Sequence, residues 1–202
     1  MTTLTRNNES GFTLAELLTS AFILMVISAS VFRSLSDTQS SAAYQSEVQA
    51  VLDNTRIAMQ LIGRHIRQAG NDPFKTGLTA ITIISTSQLR IRSDLTGSSG
   101  AGNSDKGDPD GDITDSNEDV TIRYNETART IELVPEGGPA QTVASYISGL
   151  SFQYFDANGN STDIGGEVRR ISVSISGSSL QPNPQTREQF GVQITSNIVI
   201  AS

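Results

Sequence analysis

The sequence predicts an α+β protein in which one long N-terminal helix packs on a mostly antiparallel sheet. Three observations predict it. Residues 12–69 contain no proline and carry first an apolar, then an amphipathic pattern. From Thr79 onward the apolar period switches to two. After Gly70 no helical pattern of useful length returns, so the strands should pair mostly antiparallel rather than through βαβ crossovers.

The helix falls into two parts. Residues 17–32 (LLTSAFILMVISASVF) carry no charge, so a helix through them is apolar on every face and belongs in a membrane or a packed bundle. The small residues Ala21, Ser28, Ala29 and Ser30 suit close helix–helix approach. Glu16 stands at the start of this run, where a carboxylate in hydrocarbon costs about 2–4 kcal/mol. A charge placed there needs a partner. Beyond it, Tyr44, Val48, Val51, Leu52, Met59, Ile62, Ile66 and Ala69 recur at three- and four-residue steps. Gln45, Glu47, Gln49, Asp53, Arg56, Gln60 and Arg64 fill the opposite side, which is the pattern of a helix with one face embedded in a domain. One continuous helix over 12–69 would be roughly 85 Å long.

The helix should stop at Gly70-Asn71-Asp72-Pro73, with Gly70 in the left-handed region and the proline forbidding continuation. Arg64, His65 and Arg67 fall in its last turns and complement the dipole. His65 is the only histidine and reads as a surface residue. Period-two segments follow at 79–84, 88–93, 120–125, 130–134, 142–147, 150–155, 168–176 and 192–200. Asn125-Glu126-Thr127-Ala128 and Asp156-Ala157-Asn158-Gly159 read as hairpin turns.

A long insert, residues 94–119, separates the second and third strands. Residues 96–104 have the Gly/Ser composition of a flexible linker, whereas 105–119 hold seven carboxylates against one lysine. Two readings stand side by side. One is a solvated, mobile acidic loop. The other is a Ca²⁺ site built from Asp108, Asp110, Asp112, Asp115 and Glu118, since Ca²⁺ takes six to eight oxygens from closely spaced carboxylates and carbonyls. The spacing is not that of an EF-hand. A weaker alternative for the metal is Asp156, Asn158, Asn160 and Glu167, which occupy positions one, three, five and twelve of a calcium loop, with Ser161 where the turn glycine belongs.

Composition narrows the function. A formal charge of −7 disfavours nucleic acid as a partner, because phosphate neutralisation needs cations. There is no cysteine, hence no disulfide and no thiolate site. No GxSxG, no P-loop and no histidine pair appear. The chain reads as a non-enzyme that requires no cofactor, with Ca²⁺ as the one candidate ion.

The run Gly11-Phe12-Thr13-Leu14-Ala15-Glu16, behind a short polar leader and ahead of the uncharged segment, resembles the prepilin signal of type IV pilins and pseudopilins. The resemblance implies that prepilin peptidase cleaves between Gly11 and Phe12 and methylates the new amino terminus of Phe12. It implies that Glu16 neutralises the amino terminus of a neighbouring subunit during assembly. An ordinary secretory signal cut near Ser28-Ala29-Ser30 fits less well, because Glu9 and Glu16 offset Arg6 where such signals are positive. An unprocessed anchor would leave Glu16 without a role.

The segments Arg64-His65-Ile66-Arg67-Gln68-Ala69-Gly70 and LSFQYFD at 150–156, with the closing 195–200, are similar to PilW-type minor pilins and to J-type pseudopilins of type II secretion. The organisation implied is a ladle. A leader covers 1–11, a transmembrane and filament-core segment 12–32 and an amphipathic helical segment 33–70. A periplasmic β-rich domain covers 71–202, with its acidic loop at 94–119. By resemblance the chain is a single-pass inner-membrane protein that primes pilus assembly, sits at or near the filament tip, and partners other minor pilins and the major pilin. A type II secretion pseudopilin and a pilin-anchored tip adhesin are the alternatives.

Overall fold

The structure is a computed structural model that describes residues 13–97, 108–115 and 117–200. Its elements are a helix α1 (Leu14–Gln68), strands β1 (Ile81–Ser85), β2 (Gln88–Arg92), β3 (Asp119–Asn125), β4 (Thr130–Pro135), β5 (Gln141–Ala144) and β6 (Ile147–Phe155), a short 3₁₀ turn (Gly165–Glu167), then β7 (Arg170–Pro182) and β8 (Gln189–Val199). The eight segments of period two are the eight strands, in order. The chain divides into two compact units, Met1–Ala43 and Tyr44–Ser202.

In the first unit the described residues are almost all helix α1. Leu17, Leu18, Phe22, Ile23, Leu24, Met25, Val26, Ile27, Val31 and Phe32 are all more than half exposed. Apolar side chains at consecutive positions point in every direction around a helix, so no single neighbour could cover them.

The second unit has a closed core. From Tyr44 the helix buries Val51, Thr55, Ala58, Ile62 and Ile66, spaced by three and four, with His65 beside them, while Arg56, Gln60 and Arg64 face water. Gly70 has φ +77 and ends the helix as the sequence indicates; its N–H donates to the Arg92 carbonyl at 3.0 Å, fastening the helix end to β2.

The strands form two antiparallel sheets where the sequence suggested one. A five-stranded sheet runs β1-β2-β3-β4-β5 and a three-stranded sheet runs β6-β7-β8. Strand alternation sends Leu89, Ile91, Val120, Ile122 and Ile131 of the first sheet inward, with Ile147, Leu150, Phe152, Tyr154, Ile171, Val173 and Ile175 of the second. Most of these join Ala58, Ile62 and Ile66 in one apolar cluster. The split between sheets follows Ala144, after which Tyr146 takes φ +63 and turns the chain away from β5.

The helix approaches β7 closely at Gly177, where a Cβ would stand 2.5 Å from Thr55 Oγ1 and 3.0 Å from Val51 Cγ1. Only glycine fits there. Two polar contacts reinforce the approach: Asn54 Oδ1 accepts from Ser145 N–H at 3.0 Å, and Glu47 Oε1 accepts from the N–H groups of Leu180 and Gln181.

The expectation for His65 is corrected: it is buried, 8 % exposed. It follows Arg64 on the turn that carries Ile62 and Ile66, and its ring rotates inward with them. Burial first, then the positive charge of Arg64, holds its pKa below the ordinary histidine value.

Candidate functional site

Glu16 begins the apolar helix and is solvent-exposed in this chain taken alone. Its Oε2 accepts from both the N–H and the Oγ1 hydroxyl of Thr13 at 3.0 Å, and its own N–H donates to Thr13 Oγ1 at 3.3 Å. This is a reciprocal capping box, Thr-x-x-Glu, which satisfies donors left open at a helix start. The carboxylate therefore has a local role besides any charge pairing. The pattern Thr13-Leu14-Ala15-Glu16 is legible as a cap in the sequence. Gly11 and Phe12, the proposed cleavage and methylation positions, lie outside the described residues.

In the acidic insert, carboxylates act as anchors. Asp94 and Glu118 are 2 % and 0 % exposed. Asp94 accepts from Asp110 N–H at 3.2 Å and Gly111 N–H at 2.9 Å. Glu118 Oε1 accepts from Leu95 and Thr96 N–H, each at 2.7 Å, and its Oε2 from Asp115 N–H at 3.2 Å. Charge-assisted bonds from backbone N–H groups compensate the burial of carboxylates that form no ion pair among the described residues. What orders the described part of this loop is thus a set of carboxylate-to-backbone bonds, with Phe74 packed against Gly111. Their positions beside β2 and β3 are the one sequence signal that sets Asp94 and Glu118 apart from the other acids.

Of the five residues considered for Ca²⁺, the fold brings three together. One carboxylate oxygen each of Asp110, Asp112 and Asp115 lies within 4.8 Å of the others. Asp108 is exposed and outside this group, and Glu118 is committed to the backbone. Asp112 Oδ1 accepts from the N–H and hydroxyl of Thr114, and Asp115 Oδ2 is buried with no hydrogen-bond partner among the described residues. Burial, and then the charges of Glu118, Asp110, Asp112 and Asp94, raise the pKa of Asp115.

At the weaker alternative, Asp156 Oδ1 accepts from the N–H groups of Asn158 and Asn160, both at 2.8 Å. That organises the Asp156-Ala157-Asn158-Gly159 turn, where Gly159 has φ +85. Glu167 instead accepts from the Thr162 hydroxyl at 3.1 Å.

Outside these loops, the outer face of the five-stranded sheet carries an ion-pair ladder. Asp119 receives Arg90 at 2.6 Å and Arg92 at 3.0 Å, Arg90 also meets Glu136, and Arg123 meets Glu132. Burial opposes ionisation of Asp119, but the two arginines outweigh it and hold its pKa below the ordinary range. The ladder ties β2, β3 and β4 together.

Two comparisons bear on the N-terminal site. A family model described as Prokaryotic N-terminal methylation motif matches residues 6–32, which span the end of the leader, the capping box and the uncharged run. A search of the curated proteins found no match. The motif supports a type IV pilin-like or pseudopilin protein, processed by prepilin peptidase and assembled with other pilins. The exposed apolar segment of α1, long enough to cross a membrane, fits membrane anchoring.

Proposed function

We propose that this chain is a minor pilin, a structural subunit that primes type IV pilus assembly at the inner membrane and sits at or near the filament tip. The observation that carries the reading is the methylation motif over residues 6–32, placed where Glu16 opens a helix whose apolar side chains are uncovered on all sides. Lipid covers such a segment before assembly and the helices of other subunits cover it afterwards, so assembly exchanges one apolar surrounding for another. Cleavage between Gly11 and Phe12 frees an amine for methylation. A neighbour's N-terminal ammonium is then the partner that lowers the cost of Glu16 in that surrounding and sets the register between subunits. The likeness to PilW-type minor pilins, carried by 64–70, 150–156 and 195–200, supports the priming role over that of a major subunit.

The test is a count of surface filaments by electron microscopy in a strain lacking this chain, with a complemented control. Loss of filaments restored by complementation is the expected result. Normal filament numbers would overturn priming and favour a type II secretion pseudopilin, for which the same motif serves equally.

A further inference from the structure

The geometry points to the free edge of β8 as a docking site for an extended strand of another subunit, one that carries two carboxylates on the same face with an apolar side chain between them. The inference rests on the assembly reading only for the words "another subunit"; the surface itself stands on its own geometry.

Each sheet edge but this one is short or covered. β5 is four residues long, and the 3₁₀ turn packs against β1. On β6, Phe152 N–H donates to Thr86 C=O at 2.8 Å, Thr162 N–H donates to Tyr154 C=O, and Ser161 bridges Phe155. β8 pairs with β7 alone, over eleven residues. Beyond its N-terminal end, none of its outward backbone groups has a partner among the described residues. Proteins protect such edges with charge, proline or bulges. Between Gln189 and Val199 there is no charged residue and no proline, and the register with β7 is unbroken from Arg170↔Val199 to Ser178↔Gly191. An edge this long and neutral is a template for pairing.

The helix beside it specifies the occupant. A groove of about 260 Å³ runs between α1 and β8, floored by Met59, Gly63, Ile194 and Ile198 and flanked by Arg56 and Arg67. Arg56 and Arg67 lie on one helix face and have no hydrogen bond or ion pair among the described residues. A strand added to β8 turns alternate side chains toward this groove. The central one meets the apolar floor and the outer two meet the arginines.

The distances agree. Eleven helical residues separate the two arginines, about 16 Å. The Arg67 guanidinium folds back over Gly63, where its Nη2 and Ile198 Cδ1 both lie 3.5 Å from the position of a Cβ, which shortens the span below that figure. Same-face strand residues four apart are about 13 Å apart. The pattern is therefore acid-x-apolar-x-acid.

In this chain that pattern occurs at Glu132, Val134 and Glu136. Those residues belong to β4 or immediately follow it, and β4 is paired on both sides with its carboxylates held by Arg123 and Arg90. A second copy cannot supply the strand without unfolding, so the occupant is a different subunit.

The experiment uses the full chain in detergent micelles and two synthetic peptides, Thr-Glu-Thr-Val-Thr-Glu-Thr and its lysine counterpart with both glutamates replaced. Amide hydrogen exchange is read across the chain at about millimolar peptide. The expected result is roughly tenfold slower exchange at alternate amides of Gly191 to Val199 with the glutamate peptide alone. Combining Arg56→Glu with Arg67→Glu should transfer the protection to the lysine peptide. Arg56→Gln with Arg67→Gln, a milder pair at exposed positions, should remove the preference while the melting temperature holds. Protection by both peptides or by neither overturns the inference, as does protection centred on β1, β5 or β6. None of these readouts depends on filaments, so failure of the priming role and failure of the β8 site are told apart.

Discussion

Ile27 and Ile62 lie in the same helix, yet Ile27 is 53 % exposed and Ile62 has no exposed surface. The backbone conformation is common to both; what differs is what surrounds the side chains. Around Ile62 the apolar positions form one stripe, and two sheets cover it. Around Ile27 they occupy every face, and nothing among the described residues covers them. The lesson is that a helix can be specified by sequence in two ways, one complete within the molecule and one that requires other molecules. The second unit buries its apolar stripe within the chain, whereas the first unit's apolar side chains stay open.

The largest effect should come from Glu16, whose two roles can be separated. Glu16→Ala removes both the capping bonds to Thr13 and the charge. It should leave the protein processed but reduce its recovery in sheared filaments at least about tenfold, since an unpaired ammonium in hydrocarbon costs more than about 1.4 kcal/mol. Glu16→Gln keeps the capping acceptor and discards the charge. If charge pairing governs assembly, Glu16→Gln should fail as Glu16→Ala does; normal incorporation of the glutamine variant would reduce Glu16 to a helix cap.

Next comes the contrast between the isoleucines. Ile62→Ala should lower the unfolding free energy by about 2–5 kcal/mol through lost burial and a residual cavity. Ile27→Ala should change it by less than about 0.5 kcal/mol. Denaturant titration of the full chain in detergent reads both, and equal losses would erase the distinction between the units. Gly177→Ala should fall between them. A methyl 2.5 Å from Thr55 Oγ1 forces the helix off β7, at a cost of about 1–3 kcal/mol.

Legibility in the sequence follows the range of the interactions. Helix α1, its stop at Gly70 and all eight strands rest on local periodicity and punctuation, and each is present. That the strands form two sheets depends on a backbone turn at Tyr146, a residue with no turn signature. A lone polar residue beside Arg64 and Arg67 reads as part of a basic face, while the helix rotation that buries His65 is set by Ile62 and Ile66. In the acidic insert, composition shows the charge but not its use. Asp94 and Glu118 are buried anchors and Asp110, Asp112 and Asp115 a cluster, and only contacts across 17–23 residues tell these roles apart.

The buried histidine gives a pH signature. Its folded pKa is lowered, so above the unfolded value near 6.5 both states are neutral and His65 adds no pH dependence. As pH falls below that value the unfolded chain takes up a proton that the folded chain resists, and stability declines. His65→Gln should flatten thermal stability between about pH 6.5 and 5. The carboxylates Asp119 and Glu132, with lowered pKa values, act in a separate window below about pH 4.

The smallest effect, and the one that turns on sign, concerns Asp115. Its carboxylate is half-buried among like charges, and its Oδ2 has no donor among the described residues. Without a cation, ionised Asp115 repels Asp110, Asp112, Glu118 and Asp94, so Asp115→Asn should raise the melting temperature of the full chain in chelator. If the three clustered carboxylates hold Ca²⁺, excess calcium should stabilise the parent chain and the asparagine variant should lose that gain, reversing the order of the two melting temperatures. An order that is the same with calcium and with chelator would show that the cluster is repulsive only. In that case Asp94 and Glu118 hold the loop against the charge of their neighbours without help from a metal.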